Sequence, residues 1–414
     1  SDIYLLGLDG AGIRQWSATI GGPAVEELVD MVKLPGGDLL IAGNTNSNGG
    51  YDGALVRTDA FGNVIWERTY GADDWDFFRE MLVTAAGEVM LVGRSFREGV
   101  GAEVWVLKVD EEGEILDEWL YGGDGEQEGR AICAFGDGFV IAGSAGTGEL
   151  SDGLLIRIQV DGSEAWSQTF GGDSLDMFND VLATSDGGLS MMGITHSFSQ
   201  WEEAYHVKAD ADGAELWFHN WGQVNDQGAM KHQELSSGEF ISIGYTKTSG
   251  GGGEDMFLLK SDPEGGFVFG RTFGGGADDQ GASVDLTDDG FVCAGWTSSY
   301  GAGGRDVFVV RTNASGSTLT EIVGTAFDPL SLEEETMATV FIAPNPSAGD
   351  FRIEGLIGRH AWTLHDASGR MVGSGSIDEM STISVDEEAG VYRFRLVDQR
   401  GVMRWTGSLV IVDR

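Results

Sequence analysis

Four histidines fall within one stretch of the chain and have the most evident capacity for chemistry. They are His196, His206, His219 and His232. Imidazole nitrogen binds transition metals and exchanges protons near neutral pH, so a metal site is conceivable here. None of the four has tight ligand spacing, and His206 and His219 lie in strand patterns. Histidines that are solvated or satisfied within a core are therefore expected, with a metal site as the alternative.

A second polar set recurs five residues after a glycine that marks each repeat. It consists of Glu26, Asp76, Gln127, Asp176, Gln227 and Asp279. In a closed ring these side chains would form one polar circle, which could bind cations. Hydrogen bonding across the loop that enters each repeat is the favoured interpretation. No nucleophile elbow or phosphate-binding loop is present, so no catalytic residue, metal or cofactor is predicted, with Ca²⁺ as the alternative.

One loop departs from the repeats in a way that suggests ligand contact. Residues 198–205 read FSQWEEAY where other copies are rich in glycine. Exposed aromatic rings beside carboxylates suit contacts with sugars or proteins, so Trp201 and Tyr205 are candidate ligand residues. Ordinary loop variation is the alternative.

These candidates sit in a repeat of about 50 residues that predicts a β-propeller. A marker glycine recurs at Gly21, Gly71, Gly122, Gly171, Gly222 and Gly274. A turn opened by aspartate or asparagine recurs at Asp9, Asp59, Asp110, Asp161, Asp210, Asp262 and Asn313. These turns lack the alternating ligand spacing of a calcium loop, so turn chemistry is expected there.

The strand count predicts how the ring closes. Six first-and-second-strand hairpins and seven third-and-fourth-strand hairpins favour seven blades with the last possibly incomplete, and six blades are the alternative. The terminal strands are expected to pair side by side, which would protect the edges of the ring. Large aromatic residues recur in the fourth strand and are expected to pack between blades. They are Trp16, Trp66, Trp119, Trp166, Trp217 and Phe269.

Composition limits the partners. The net charge of −42 lies mostly in the repeats and disfavours nucleic acid and anionic surfaces. No apolar stretch has the length of a transmembrane span. The chain starts at Ser1 without a hydrophobic leader, which is typical of a processed, mature product. Cys133 and Cys293 lie in apolar strand patterns and are expected to be buried free thiols.

The repeats resemble bacterial propeller repeats that contain D-G-G followed by D-x-x-G-x-x-x-W. The best copies run from Gly36 to Trp66 and from Asp186 to Trp217. Such repeats are common in large secreted proteins of the Bacteroidota. The resemblance covers about three quarters of the chain and implies the fold with almost no information on function.

The last part of the chain changes character. Residues 325–339 are acidic and lack the repeat pattern, which is typical of a linker. Residues 340–414 alternate apolar and polar positions and predict a small Ig-like β-sandwich. The predicted domains are therefore a propeller in 1–324, a linker in 325–339 and a sandwich in 340–414.

The tail resembles the type A C-terminal sorting domain of the type IX secretion system. It has an early Pro-Asn-Pro, a central D-x-x-G-R and a late G-x-Y before a final apolar strand. The motif positions are Pro344, Asn345, Pro346, Gly369, Arg370, Gly390 and Tyr392. The resemblance implies export through the outer membrane, with the shuttle β-barrel and translocon of that system as partners.

The sequence as a whole favours a secreted or cell-surface, non-enzymatic propeller that serves as a binding or structural module. A glycan or surface-protein ligand fits such a module. Two alternatives stay open: a secreted polysaccharide-acting enzyme with its site in the propeller channel, and a subunit of an extracellular assembly.

Overall fold

The computed structural model describes two separate compact units, Ser1–Ala326 and Phe327–Arg414. Described in the first are residues 2–324 apart from 11, 23, 48–49, 72–74, 124, 223–224 and 302. Described in the second are residues 341–343, 350–354, 360–365, 370–377, 382–385, 390–397 and 403–411. Every regular element in these ranges is a β-strand, and none of the described residues forms a helix fit to span a membrane.

The first unit consists of a hairpin followed by six four-stranded antiparallel sheets, which we name blades I–VI. The hairpin comprises β1 (Ile3–Leu8) and β2 (Arg14–Ile20). Blade I comprises β3 (Glu26–Lys33), β4 (Leu39–Thr45), β5 (Asp52–Thr58) and β6 (Val64–Tyr70); blade II comprises β7 (Asp76–Val83), β8 (Val89–Arg97), β9 (Gly101–Val109) and β10 (Ile115–Tyr121). Blade III comprises β11 (Glu126–Phe135), β12 (Gly138–Thr147), β13 (Leu150–Gln159) and β14 (Glu164–Phe170); blade IV comprises β15 (Asp176–Ala183), β16 (Leu189–Thr195), β17 (Glu203–Ala209) and β18 (Glu215–Trp221). Blade V comprises β19 (Gln227–Glu234), β20 (Phe240–Thr246), β21 (Asp255–Ser261) and β22 (Phe267–Phe273); blade VI comprises β23 (Asp279–Thr287), β24 (Gly290–Thr297), β25 (Asp306–Asn313) and β26 (Thr318–Gly324).

The turn between the third and fourth strands has the predicted chemistry. Asp59 Oδ1 accepts the backbone N–H groups of Phe61 at 2.8 Å and Asn63 at 3.0 Å. Gly62 closes the turn with a φ of 84°, which a residue with a side chain adopts only with strain. The prediction that these aspartates build turns is confirmed, since their side chains already accept two N–H groups of their own loop.

Fourth-strand aromatic residues pack between blades, as predicted. Five of the six lie against the turn glycine of the following blade, in the pairs Trp16–Gly62, Trp119–Gly162, Trp166–Gly213, Trp217–Gly265 and Phe269–Gly316. The sixth, Trp66, packs against the apolar cluster that blades I and II share. A Cβ atom at Gly213 would lie 2.8 Å from the Trp166 ring, so the turn must be bare for the blades to approach. The repeated aromatic residue of one blade thus packs on the repeated glycine of the next blade.

The ring contains six complete blades, which is the alternative count, together with the β1–β2 hairpin. Arg311 of blade VI donates to the Gly10 carbonyl in the hairpin turn at 3.3 Å. Arg57 of blade I donates in the same way to the Glu111 carbonyl of blade II at 3.3 Å. The hairpin therefore follows blade VI as blade II follows blade I, and Trp16 joins it to blade I.

The expected pairing between terminal strands is wrong. Among the described strands, β1 pairs with β2, while β25 and β26 complete the sheet of blade VI. No described pairing joins β1 or β2 to either of these strands. Closure depends on the Arg311 contact and on apolar packing instead. Ile3, Leu5 and Ile20 form one buried cluster with Leu39, Ile41 and Val56 of blade I.

Stacked aromatic rings over glycines fill the middle of several blades. In blade IV, Gly193 stands opposite both Phe178 and Tyr205, whose rings stack with centroids 5.7 Å apart. Blade II repeats the device with Phe78 and Trp105, 4.7 Å apart. The two cysteines are free thiols, but Cys133 is only partly buried, in contrast to Cys293 and to the expectation for both.

The second unit contains two antiparallel sheets among its described residues. One comprises β27 (Phe341–Ala343), β28 (Asp350–Glu354) and β31 (Thr382–Ser384); the other comprises β29 (His360–His365), β30 (Met371–Ile377), β32 (Gly390–Val397) and β33 (Met403–Ile411). Trp362 stacks on Phe394 with ring centroids 5.5 Å apart. This unit therefore has an aromatic core of its own.

Candidate functional site

A bulge in the first strand of every blade positions the polar residues of the inner ring. The register shifts at Leu28/Asp30, Phe78/Glu80, Gly129/Ala131, Phe178/Asp180, Ala229/Lys231 and Gly281/Ser283. An extra residue bends the strand and re-aims the neighbouring side chains. In blades I, II and IV the residue after the bulge is a carboxylate that reaches the next blade.

Carboxylates after the bulge fasten one blade to the next. Three such bonds are Met81 N–H to Asp30 Oδ2 (3.1 Å), Ile132 N–H to Glu80 Oε2 (2.6 Å) and His232 N–H to Asp180 Oδ2 (2.8 Å). Each satisfies a backbone donor of a first strand, which lies at the edge of its sheet and has a neighbouring strand on one side only. The first task of these acidic side chains is therefore structural.

Lys231 joins two of these carboxylates. Its Nζ contacts Glu80 of blade II and lies 3.1 Å from Asp180 Oδ1 of blade IV. Burial raises the pKa of Glu80 to about 7 in spite of Lys231. Burial would also raise the pKa of Asp180, but Lys231 and His232 hold it well below its usual range. Two carboxyl groups with separated pKa values are what acid–base catalysis requires, so this cluster is a candidate site.

A serine links two histidines behind Asp180. Asp180 Oδ2 lies 2.7 Å from His232 Nδ1, and Ser190 Oγ lies 2.8 Å from His232 Nε2 and 2.7 Å from His206 Nε2. Because Asp180 accepts the Nδ1 proton of His232, Nε2 accepts the Ser190 hydroxyl proton. His206 then donates from Nε2 to Ser190, which leaves its Nδ1 without a proton. That Nδ1 is buried without a hydrogen-bond partner among the described residues.

Asp180, His232 and Ser190 have the order and distances of a hydrolase triad, yet no substrate can reach the serine. Ser190 is 0% exposed and its hydroxyl is held between two rings. A nucleophile must reach the scissile carbonyl, so the arrangement cannot act as one in this conformation. We assign it to the interior of blades IV and V as a buried hydrogen-bond network that links their strands.

This network predicts a pH-dependent stability. Burial holds the pKa of His206 well below its usual value, with His232 and Lys208 acting in the same direction. The folded chain therefore keeps His206 neutral while the unfolded chain takes up a proton below about pH 6.5. Stability from His206 is complete above that pH and falls as pH drops, by up to about 1.4 kcal/mol per unit.

Urea unfolding of wild type and His206→Gln between pH 7.5 and 5 tests this. The difference in free energy of unfolding should shrink as pH falls. His196→Gln is the matched control, because His196 is partly exposed and paired with Glu202 at 3.2 Å. A constant difference for His206→Gln across the range would contradict a neutral, buried His206.

An open cleft lies at the boundary of blades II and III. It has a volume of about 310 Å³ and is lined by Trp75, Arg94, Phe96, Ala102 and Glu126, a group that we call the Trp75 cleft. Trp75 is 56% exposed and Phe96 is 39% exposed. Apolar walls with a few polar groups are typical of small-molecule sites, which measure about 300–1,000 Å³.

Aromatic packing holds the wall of the Trp75 cleft in place. Trp75 makes edge contacts with Tyr51 and Phe77, at centroid distances of 6.0 and 6.3 Å. Tyr51 stacks on Phe77 at 5.0 Å. The guanidinium groups of Arg79 and Arg94 each lie 5.5 Å from the Phe77 ring centroid. The exposed indole is therefore positioned before any ligand arrives.

A second cavity of about 190 Å³ adjoins the first and shares Arg94, Ala102 and Glu126 with it. Glu128 and Arg130 form part of its lining. Glu128 is paired with both Arg79 and Arg130, which offsets one of those two positive charges. Arg94 has no such carboxylate among the described residues, and its Nε is buried without an acceptor.

The predicted ligand loop differs from expectation at one of its two residues. Tyr205 is 1% exposed, because it is the third residue of β17 and stacks over Gly193 in the blade core. The expectation that its ring is exposed is wrong. Trp201 is partly exposed, and its indole N–H is buried without a partner among the described residues.

The other candidate residues are placed as follows. His206 and His232 meet at Ser190, whereas His219 contacts the Glu264 carbonyl at 3.0 Å. Among the described residues no three His, Cys, Asp or Glu side chains are positioned to hold a metal together. In the polar circle, Asp176 Oδ2 accepts Gly172 N–H at 2.8 Å and the Ser197 hydroxyl at 2.7 Å, which is the favoured hydrogen-bonding role.

The sorting-motif positions are only partly covered by the structure. Pro344, Asn345, Pro346 and Gly369 lie outside the described residues. Arg370 is exposed just before β30. Gly390 begins β32 opposite Ile411, and Tyr392 is buried opposite Leu409.

No family model and no curated protein matches the chain. One similar structure is PorZ, a surface component of the type IX secretion system of Porphyromonas gingivalis, at 11% identity and a TM-score of 0.37 over 96% of this chain and 61% of that one. Sqt1 from Chaetomium thermophilum matches at 12% identity and a TM-score of 0.43 over 72% of each chain. An endo-arabinase from Bacteroides thetaiotaomicron matches at 9% identity and a TM-score of 0.31 over 60% of this chain and 92% of that one. The chain thus spans less than two thirds of PorZ, and likenesses at these values carry no argument about function.

Proposed function

We propose that the chain is a secreted or cell-surface propeller that acts as a non-enzymatic binding module. The observation that carries this proposal is the contrast between its two polar sites. The Trp75 cleft is open and lined by fixed aromatic rings. The other site, which we call the inner cluster, consists of Glu80, Asp180 and Lys231 with the Ser190, His206 and His232 network behind them. This cluster is closed, because the side chains of Glu80 and Asp180 are only 13% and 4% exposed.

The bonding of the inner cluster supports the same conclusion. Glu80 and Asp180 each accept a backbone N–H of the next blade, and Asp30 repeats that bond at the same position of blade I. A role shared by several copies of a repeat is a role in the repeat itself. These carboxylates already accept hydrogen bonds from the protein, so they are not free to act on a substrate.

A sedimentation assay tests the binding function. The full chain is mixed with insoluble polysaccharides, and both retained protein and released soluble sugar are measured. The proposal expects retention without release. Release of sugar by the protein would contradict it and would favour the enzyme.

The enzyme is the second candidate, and a specific observation favours it. The pKa of Glu80, raised to about 7 by burial, suits a general acid beside an ionised Asp180. Its substrate would be a polysaccharide segment threaded into the ring. Lys231 would have to release both carboxylates first, which makes this candidate the weaker one.

We further propose that residues 340–414 are a type IX sorting domain, so that the propeller is exported across an outer membrane. The support is the order of Pro344-Asn345-Pro346, Gly369-Arg370 and Gly390-x-Tyr392 in the sequence. The compactness of unit Phe327–Arg414 agrees with a separable domain.

Deletion of residues 340–414 should leave a folded propeller that is not exported. The test is expression behind a signal peptide in a bacterium that has a type IX secretion system, followed by quantification of surface and periplasmic protein. The truncated chain should accumulate in the periplasm with an unchanged propeller melting transition. Fusion of 340–414 to a fluorescent reporter is the converse control and should bring the reporter to the surface. Normal surface levels of the truncated chain would overturn the sorting proposal.

A further inference from the structure

We propose that the Trp75 cleft binds neutral sugar rings, with Trp75 as the stacking platform and Arg94 and Glu126 as the pair that selects hydroxyl groups. The inference rests on the proposed binding function and names its ligand class. Nothing in the repeat pattern requires an exposed tryptophan here. The equivalent positions, one residue before each member of the polar circle, are Val25, Trp75, Glu126, Leu175, Asp226 and Asp278.

The exposed rings of Trp75 and Phe96 offer a flat apolar surface that suits the weakly polar face of a sugar ring. Trp75 and Phe96 keep 56% and 39% of their surface exposed, although Tyr51 and Phe77 support the Trp75 ring. The C–H faces of sugar rings cover such aromatic surface while their hydroxyl groups stay at the edge. Because the contacts with Tyr51 and Phe77 already fix the indole, little side-chain entropy is lost when a ligand stacks on it.

Arg94 and Glu126 offer a donor and an acceptor in the same cleft. Arg94 Nε is buried, and no described residue accepts its proton. Its guanidinium is held over Phe77, so it cannot easily swing out to water. A guanidinium donates only and a carboxylate accepts only, whereas each sugar hydroxyl does both. Two adjacent hydroxyl groups would therefore satisfy Arg94 and Glu126 together.

Charge selects neutral sugars over acidic ones. Glu126 and Glu128 offset two of the three positive charges of Arg94, Arg79 and Arg130, so one positive charge is left beside the cleft. The chain as a whole carries −42, which repels polyanions from its surface. An acidic polysaccharide would meet that field with a single uncompensated positive charge beside the cleft, whereas a neutral sugar meets no such repulsion.

Isothermal titration calorimetry of the full chain with defined tetrasaccharides tests the inference. The neutral probes are gluco-, xylo-, manno- and galacto-configured tetrasaccharides, and the charged probe is tetragalacturonate. We expect at least one neutral probe to bind and tetragalacturonate to bind more weakly. Trp75→Ala should weaken the neutral probe by about tenfold or more, and Arg94→Gln by a similar factor.

Phe61→Ala is the matched control, because Phe61 is an equally exposed aromatic residue, at 65%, in a β-turn away from the cleft. It should leave the affinity unchanged. Phe96→Ala is the fourth variant, and melting curves should show all four variants folded. Failure of every neutral probe, preference for tetragalacturonate, or unchanged affinity in both Trp75→Ala and Phe96→Ala would each overturn the inference. Cleavage of a bound probe, detected by chromatography, would instead contradict the non-enzymatic function and leave the binding site in place.

Discussion

Replacing Asp180 with asparagine is expected to lower the free energy of unfolding by about 3–5 kcal/mol at neutral pH. Asp180 is buried and holds the Lys231 ammonium, the His232 imidazole and the His232 backbone N–H together. Asparagine preserves the shape but supplies neither the charge nor two acceptor oxygens. Urea unfolding followed by circular dichroism measures the loss.

Asp226→Asn is the matched control for this change. Asp226 pairs with Lys247 at 3.0 Å, but both side chains are well exposed, so the expected loss is only about 0–1 kcal/mol. Lys231→Met should also be costly on its own, and Asp180→Asn with Lys231→Met should cost less than the sum of the two. Equal, small effects of Asp180→Asn and Asp226→Asn would show that the inner cluster does not fasten the blades.

Removing residues 1–20 should have the second large effect, because it takes away the hairpin between blades VI and I. Ile3, Leu5 and Ile20 are buried against blade I, and burial of such side chains contributes about 1.5–3 kcal/mol each. The truncated chain should melt at a markedly lower temperature. It should also form oligomers through the exposed apolar edge, seen by size-exclusion chromatography with light scattering.

Point substitutions test whether the apolar packing of the hairpin stabilises the ring. Leu5→Ala should cost about 2–5 kcal/mol, because Leu5 is buried in the shared cluster. Ile13→Ala should change stability by less than about 0.5 kcal/mol, since Ile13 is 62% exposed in the hairpin turn. A monomeric truncated chain with an unchanged melting curve would show that the hairpin does not help to close the ring.

Local chemistry explains which parts of the fold could be predicted from the sequence. Asp59 and Gly62 act within one turn, so their spacing alone reveals the hairpin. Trp166 recurs at fixed phase because each blade must present a ring to the next turn glycine. Such features depend on residues a few positions apart or one repeat apart, and the sequence displays both distances directly.

The inner cluster could not be predicted for the opposite reason. Ser190, His206 and His232 come from β16, β17 and β19 in two blades, and Lys231 reaches Glu80 from the far side of the ring. Four histidines in one stretch were visible in the sequence, but nothing marked Ser190 as the residue between two of them. Only the bulges and the stacking of blades bring these residues together.

The Trp75 cleft was missed although a signal existed. The departure from the repeat that predicted ligand contact is the loop with Trp201 and Tyr205, but Tyr205 belongs to the core. Among the six residues that directly precede the members of the polar circle, Trp75 is the one aromatic residue. Its partner Arg94 lies in β8, so the site as a whole needed the structure.

We propose above all that this protein binds its ligand in the Trp75 cleft and that the inner cluster has a structural role. The most direct test compares wild type, Trp75→Ala and Glu80→Gln on an insoluble neutral polysaccharide that retains the wild type, with soluble sugar measured in the same samples. The account predicts that Trp75→Ala loses retention, that Glu80→Gln keeps it, and that none of the three releases sugar. Sugar released by the wild type and abolished in a folded Glu80→Gln variant would contradict it.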